Sequence, residues 1–447
     1  MLRGMGRTVS VAERRARLVR RHRLVATERT DDVVALTDDL VALHSSDPVT
    51  VYLSAFARML HPALAPVQAA LYEDRSLIRH HAMRRTLWVF GHAAARAAHH
   101  AVTVDLVAVQ HKRLLGMLSA GGIVDPPGWL AAAADDVAAL LAESGPLTAR
   151  EIGARLPAVA VPIPVGTGRF ATTQSAHSRV LLQLGFTGRV VRARPMGTWI
   201  NGQYRWAATS AWFPGGFDLP AVGSGPHAAE VTVGPVVLGA DDRANSVGAT
   251  AARAGDATAL GHGSALAVDR RGAAAELARR WLRTFGPGTR TDLQWWAGWT
   301  VATTKRALAD VGAIEVELHG GSTTGTGYLL PDDLDEVPDP GPSTALLPGL
   351  DPTTMGWKDR DWYLDPAHVP LLFDRNGNAG PTAWVDGRVV GGWAQRPDGE
   401  IVLRLLADVG REASGALHRQ ADELRVLLGD TRFTPRFPSS LHTELVK

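Results

Sequence analysis

One order of elements recurs three times along this chain and narrows what it can fold into: short helices followed by a pair of strands. In residues 8–123, Ser10 and Glu13 mark a capping box before a helix at 12–24. Further helices are predicted at 32–43, 48–60 and 65–75, and Arg85-Thr86-Leu87-Trp88-Val89-Phe90 reads as a strand. Helices near 92–100 and 105–118 lead out of this unit. In residues 127–218 a helix at 127–143 is followed by a second capping box, Thr148 and Glu151, then a helix at 173–184. Strands at 189–194 and 203–206 flank the turn 195–202. In residues 269–333 a helix at 270–285 precedes Gly286-Pro287-Gly288, a short helix opened by Thr291 and Asp292, and a helix at 300–311. Strands at 314–318 and 326–330 flank a Gly/Ser/Thr-rich turn. Three helices and then a hairpin is the winged-helix order, a variant of helix-turn-helix.

The remaining sequence does not fit that order. Residues 221–263 are dominated by Gly and Ala and hold few large apolar groups, so they cannot offset their own ordering entropy. They read as an insertion with one strand at 230–237. Residues 343–447 read as mainly β: strands at 382–385 and 388–393 flank Asp386-Gly387, a strong type I′ hairpin signal, a third strand follows at 400–406, and a helix at 412–428 closes the segment. The predicted fold class is α+β, with three tandem winged-helix units followed by a mainly antiparallel β segment.

Charge points to a polyanionic partner. Net charge is only +2, but residues 1–30 contain nine Arg against two Glu. Guanidinium groups suit bidentate phosphate contacts. The chain has no cysteine, which excludes disulfides, thiolate metal sites and cysteine nucleophiles. No apolar run is long enough for a membrane span, and the Arg-rich N-terminus lacks the apolar block of a secretory signal. A cytoplasmic, nucleoid-associated monomer is expected. Neither His80-His81, His92 nor His99-His100 has metal-ligand spacing with a carboxylate, and no phosphate loop is present, so no metal or cofactor is expected.

The densest chemistry lies in His44-Ser45-Ser46-Asp47-Pro48, between two predicted helices. Asp47 is a good N-cap and Pro48 a good first helical residue, so a purely structural role is one reading. The other is a site: an imidazole, two hydroxyls and a carboxylate held on a rigid turn. Arg84 and Arg85, at the entrance to a strand, can clamp phosphates or form a solvated face. Arg189, Arg192 and Arg194 lie on the second wing, with Arg192 and Arg194 on one face of their strand. Trp199, at the wing tip beside Met196, can wedge into a base stack. Lys305 and Arg306 fall where a recognition helix belongs. Trp295, Trp296 and Trp299 have the spacing of a core face.

The strings LVALHSSDPVTVYLSAFAR, HHAMRRTLWVF, GPGTRTDLQWWAGW, LLPGLDP and WVDGRVVGGW resemble the AlkZ/YcaQ-like winged-helix DNA glycosylases, in order over nearly all the chain. The resemblance implies three winged helices wrapped around a β-barrel. It also implies hydrolysis of the N-glycosidic bond of alkylated or crosslinked bases in double-stranded DNA, as part of DNA repair. The family's Gln-x-Gln or Gln-x-Asp motif falls on His44 and Ser46, or, shifted by one, on Ser45 and Asp47. Trp88 replaces the His of its Met-Arg-x-Thr-Leu-His element, while Met83, Arg84, Thr86 and Leu87 match. His44, Ser46 and Asp47 are therefore the expected catalytic residues. The alternative is a non-catalytic DNA-binding protein, a regulator or damage sensor, on the same fold.

Overall fold

The fold, taken from a computed structural model, is described for residues 7–166, 171–213, 270–320 and 325–447. The Gly/Ala-rich stretch at 221–263 and its expected strand lie outside them.

Three stretches share one arrangement. In the first, helix Val33–Asp39, strand Leu43–His44, helices Pro48–Phe56 and Leu64–Gln68 and strands Leu77–His81 and Leu87–Gly91 succeed one another. The last strand lies between the other two in the sheet. In the second, helix Pro126–Ser144, strand Leu147–Thr148, helices Ala149–Arg155 and Ala176–Phe186 and strands Val190–Pro195 and Tyr204–Ala208 repeat this with the same strand order. A small hairpin, Pro162–Val165 with Thr172–Ser175, is inserted before its third helix. In the third, helices Arg270–Phe285, Arg290–Ala297 and Val301–Asp310 precede the hairpin Ile314–His319 and Gly325–Leu329, and a single bridge from Gly288 to Tyr328 stands for the first strand.

Several elements differ from their sequence expectation. The helix expected to reach residue 43 stops at Asp39, because Leu40, Val41, Ala42 and Leu43 are all buried and Val41 takes a left-handed φ of 64°. Core packing outweighs helix propensity here, since a β-branched residue in that region is strained. His44 thus lies on a strand. Strand Leu77–His81 was not expected, because Arg79, His80 and His81 break its apolar pattern, yet all five residues are buried. The third unit's short helix is capped by Thr289, whose Oγ1 accepts from Asp292 N–H at 3.0 Å, not by Thr291. The N-terminal strand Thr8–Ser10 pairs in parallel with Ile314–His319, so it belongs to the third unit's sheet and not the first's.

The C-terminal segment does not form a barrel. Strands Thr344–Leu347, Thr382–Val385, Arg388–Gln395 and Ile401–Leu405 form an open antiparallel sheet in sequential order, with no closure among the described residues. Four short strands are too few to curl into one. Helix Gly410–Leu428 packs against both edge strands, and Gln420 Nε2 donates to the Thr344 carbonyl at 2.9 Å, which covers an otherwise open edge. The Asp386-Gly387 turn has φ of 47° and 71°, as a type I′ hairpin requires.

One apolar core runs through the N-terminal helix Val11–Arg21, the first and third units and this sheet. The second unit has a core of its own, which Leu114 and Leu118 of the preceding helix join. The helix after the His44 segment, Pro48–Phe56, is buried on every side. Thr50 Oγ1 donates to the Gly349 carbonyl at 2.7 Å and Ser54 Oγ to Asp351 at 2.6 Å, so its whole length is fixed to the turn before Pro352–Met355.

Candidate active site

Strand pairing decides which side chains of the His44 segment reach solvent. His44 lies opposite Trp88, and the Ser45 N–H extends the ladder to the Leu87 carbonyl at 2.8 Å. Extended backbone sends alternate side chains to opposite faces. His44 and Ser46 line a cleft with Arg84, Thr86, Met355, Asn378 and Phe437. Ser45 and Asp47 do not. The Ser45 hydroxyl accepts from buried Arg79 at 3.1 Å, and Arg79 also donates to the Tyr72 hydroxyl at 2.6 Å. Of the two motif registers, only the one through His44 and Ser46 faces the cleft. Its free volume is about 10 Å³, room for one water molecule.

The His44 ring packs on Trp88 with centroids 4.6 Å apart. Burial, and after it the Arg84 guanidinium, pushes its pKa down to about 3, so it is neutral near pH 7. The Ser46 N–H donates to His44 Nδ1 at 3.3 Å. With Nδ1 accepting, the ring proton resides on Nε2. His44 therefore offers a donor and not a base.

Asp47 has no free oxygen to offer. Oδ1 accepts from the Val49 N–H at 3.2 Å as an N-cap, and Oδ2 accepts from the Arg436 N–H at 2.8 Å. Burial raises its carboxyl above the usual range, opposed by those two backbone donors. The expected catalytic role fails on this geometry: Asp47 ties a helix start to the C-terminal tail, whose Arg436 also donates from Nη1 to the Ser46 carbonyl at 2.8 Å. Asp47→Ala should cost about 1–2 kcal/mol in urea unfolding, the range for a lost N-cap, and Asp47→Asn should recover much of it.

The other expected contacts divide. Arg84 and Arg85 both take left-handed φ, 54° and 63°, in the turn Met83–Arg85. Residues held there cost on the order of 1 kcal/mol each and cluster at functional sites. The Arg84 guanidinium lies 4.1 Å above Trp295 of the third unit, and no hydrogen-bond partner reaches its Nε among the described residues. Lys305 and Arg306 are exposed on Val301–Asp310. The second wing is committed elsewhere. Arg189 pairs with Asp135 at 2.8 Å. Arg192 contacts His81 Nε2 at 2.9 Å and lies over Trp206, and Arg194 reaches Glu73 at 3.1 Å and lies over Tyr72, so both hold the second unit against the first. Trp199 is buried on Tyr52, with centroids 5.0 Å apart, and on Phe56, which removes it as a wedge. Trp296 and Trp299 are core residues, while Trp295 is half-buried beneath Arg84.

Sequence reasoning missed Asn378, Met355, Phe437 and Arg436, because the opposite wall of the cleft comes from the C-terminal segment. The Asp374-Arg375-Asn376-Gly377-Asn378 run is a readable turn signal, but nothing local places it opposite His44. Among the described residues, no three His, Asp or Glu side chains converge as a metal site, and no helix is long and apolar enough to cross a membrane.

Comparison with known proteins adds two findings. The family model described as "DNA glycosylase AlkZ-like" matches residues 37–426. Among solved structures, the chain is similar to the Streptomyces sahachiroi DNA glycosylase AlkZ, at TM-score 0.64 and 20% identity, over 96% of this chain and 99% of that one. At that identity the likeness establishes the mixed α+β fold. No curated protein sequence matches the chain.

Proposed function

Since this chain belongs to the AlkZ-like DNA glycosylase family, we propose that it hydrolyses the N-glycosidic bond of an alkylated or crosslinked base in duplex DNA. One observation carries the reading: the two side chains on the family's motif positions, His44 and Ser46, share a water-sized cleft with an arginine that has no carboxylate partner at its Nε. The three repeating units are read as winged helices, at about 8–123, 127–218 and 269–333, with 343–447 as the sheet domain behind them. Residues 8–10 join the third. Lys305, Arg306, Arg84 and Arg85 are the basic groups assigned to phosphates.

The reaction passes through an oxocarbenium-like sugar. A cationic N7-alkylpurine leaves as a neutral base, so little acid catalysis is required of the protein. The cleft admits a water and no sugar, so in this reading the extruded deoxyribose lies at its mouth. His44 Nε2–H donates to the oxygen of that water and the Ser46 hydroxyl lies beside it. Arg84 meets a flanking phosphate.

Incubating the protein with duplex DNA that carries one N7-methylguanine, then cleaving abasic sites with alkali, tests this. Excision above a heat-only control is expected. His44→Ala should slow single-turnover excision about 10–100-fold. Arg84→Ala should weaken binding and reduce the salt slope by about one. No abasic product from the wild type ends the proposal.

A second reading has one observation behind it: no carboxylate lines the cleft, since Asp47 is turned away. That suits a protein that binds lesions without cutting them. The same duplex then shows salt-dependent binding and no abasic product.

A further inference from the structure

We propose that Asn378 is a catalytic residue whose side-chain oxygen accepts a hydrogen bond from the attacking water. This inference rests on the glycosylase reading above.

Asn378 is buried and lines the cleft opposite His44 and Ser46. Its amide is oriented by a neighbour that leaves no choice. Asp374 Oδ2 accepts from Asn378 Nδ2 at 2.9 Å, and a carboxylate can only accept, so the NH2 end faces Asp374. Asp374 Oδ1 accepts from the backbone N–H groups of Asn376 at 2.8 Å and Asn378 at 2.9 Å. The Asp374 N–H donates to the Asn378 carbonyl at 2.9 Å, and Gly377 turns the chain at a φ of 79°. This loop is thus clamped by one carboxylate at three points. Among the described residues no hydrogen bond reaches Asn378 Oδ1. With the NH2 end committed to Asp374, the oxygen is the end of this amide left to meet water.

The cleft supplies the complementary atoms. His44 presents a donor, as its Nδ1 is occupied by the Ser46 N–H. Ser46 presents a hydroxyl. Neither supplies a fixed acceptor. A water held by His44 Nε2–H through one lone pair, and donating one O–H to Asn378 Oδ1, keeps its second lone pair for the sugar. The bond that forms joins the water oxygen to C1′, and the bond that breaks is C1′–N9, whose electron pair leaves with the base. The cationic base departs neutral, and the proton lost by the new hydroxyl goes to solvent at the cleft mouth. An amide both donates and accepts, and this one comes from a different segment than the family's motif, across the cleft from it.

The test uses the full chain and duplex DNA with one N7-methylguanine under single-turnover conditions. Asn378→Leu removes the oxygen and keeps the branching of the side chain. It should slow excision about 100-fold while binding to uncleavable duplex changes less than about 2-fold. Asn378→Asp retains an oxygen in reach and adds a titratable group beside Asp374. Its excision rate should acquire a limb that rises with pH, which the wild type lacks. Wild-type excision in Asn378→Leu overturns the inference and leaves the glycosylase reading intact. If Asn378→Leu does not fold, Asn378→Asp decides: a pH limb supports the role, and a flat profile at the wild-type rate overturns it. An inactive wild type removes both proposals.

Discussion

Asp351→Ala is expected to cost about 3–5 kcal/mol of stability, a third to a half of a total on the order of 10 kcal/mol. Asp351 and Arg58 are both completely buried and paired at 2.8 Å. Arg58 also donates from Nε to the His22 carbonyl at 2.9 Å, from Nη1 to the Ser54 carbonyl at 2.6 Å, and from Nη2 to Thr353 Oγ1 at 2.7 Å. Asp351 further accepts from Ser54 Oγ and from the Thr353 N–H at 2.9 Å. Burial raises the Asp351 carboxyl, but the charge of Arg58 and these hydrogen bonds outweigh it and hold it below its ordinary value. Every polar atom of the pair has a partner, so removal of one member strands a charge in the core. Urea unfolding measures the cost. Arg58→Met in the Asp351→Leu background should recover most of it, because a matched apolar pair carries no desolvation cost. A loss under about 1 kcal/mol in Asp351→Ala would refute this account.

A steep loss of stability below pH 6.5 is the second large effect expected. His22, His44 and His80 are pushed down to about 3, His99 to about 2 and His81 well below 6.5, in each case mainly by burial. Arg192 adds to the shift at His80 and His81, and His80 Nε2 lies 3.0 Å from His99 Nδ1. In the unfolded chain these rings bind protons near pH 6.5, and in the folded protein they do so only well below that. The unfolded state therefore binds more protons throughout that window, and stability falls as pH falls. Each ring contributes about 1 kcal/mol per pH unit. Five together remove several kcal/mol per unit, against a total stability on the order of 10 kcal/mol. The urea midpoint, followed by fluorescence of the 13 tryptophans, should drop sharply between pH 6.5 and 5, and His80→Phe should flatten the dependence. An unchanged midpoint over that interval would contradict neutral burial of these rings.

Local signals in the sequence carried the capping and turn chemistry well. The Thr148–Glu151 box, with Thr148 Oγ1 accepting from the Glu151 N–H at 3.2 Å, was readable because its geometry depends on four consecutive residues. So was the Asp386-Gly387 turn. Strand Leu77–His81 was not readable, because its polar residues find partners outside the strand: Arg79 in Tyr72 and Ser45, His80 in His99, His81 in Arg192. The site was half legible. His44 and Ser46 could be found by position, and the role of Asp47 as a cap could be weighed. That its second oxygen meets Arg436, and that Asn378 lines the same cleft as His44, are facts of tertiary assembly. Arg192 and Arg194 were read as a charged wing surface for the same reason, since His81, Glu73 and Tyr72, which they meet, lie in the first unit.

The parallel pairing of Thr8–Ser10 with Ile314–His319 constrains biosynthesis. A ribosome delivers Thr8 hundreds of residues before its strand partner Glu317, so this stretch of nascent chain must wait, basic and unpaired, until most of the molecule has been made. The second unit, most of whose helices pack in a core separate from the main one, can consolidate during that interval. Closure of the third unit's sheet then comes late, when Thr8–Ser10 is locked in by a strand made hundreds of residues after it.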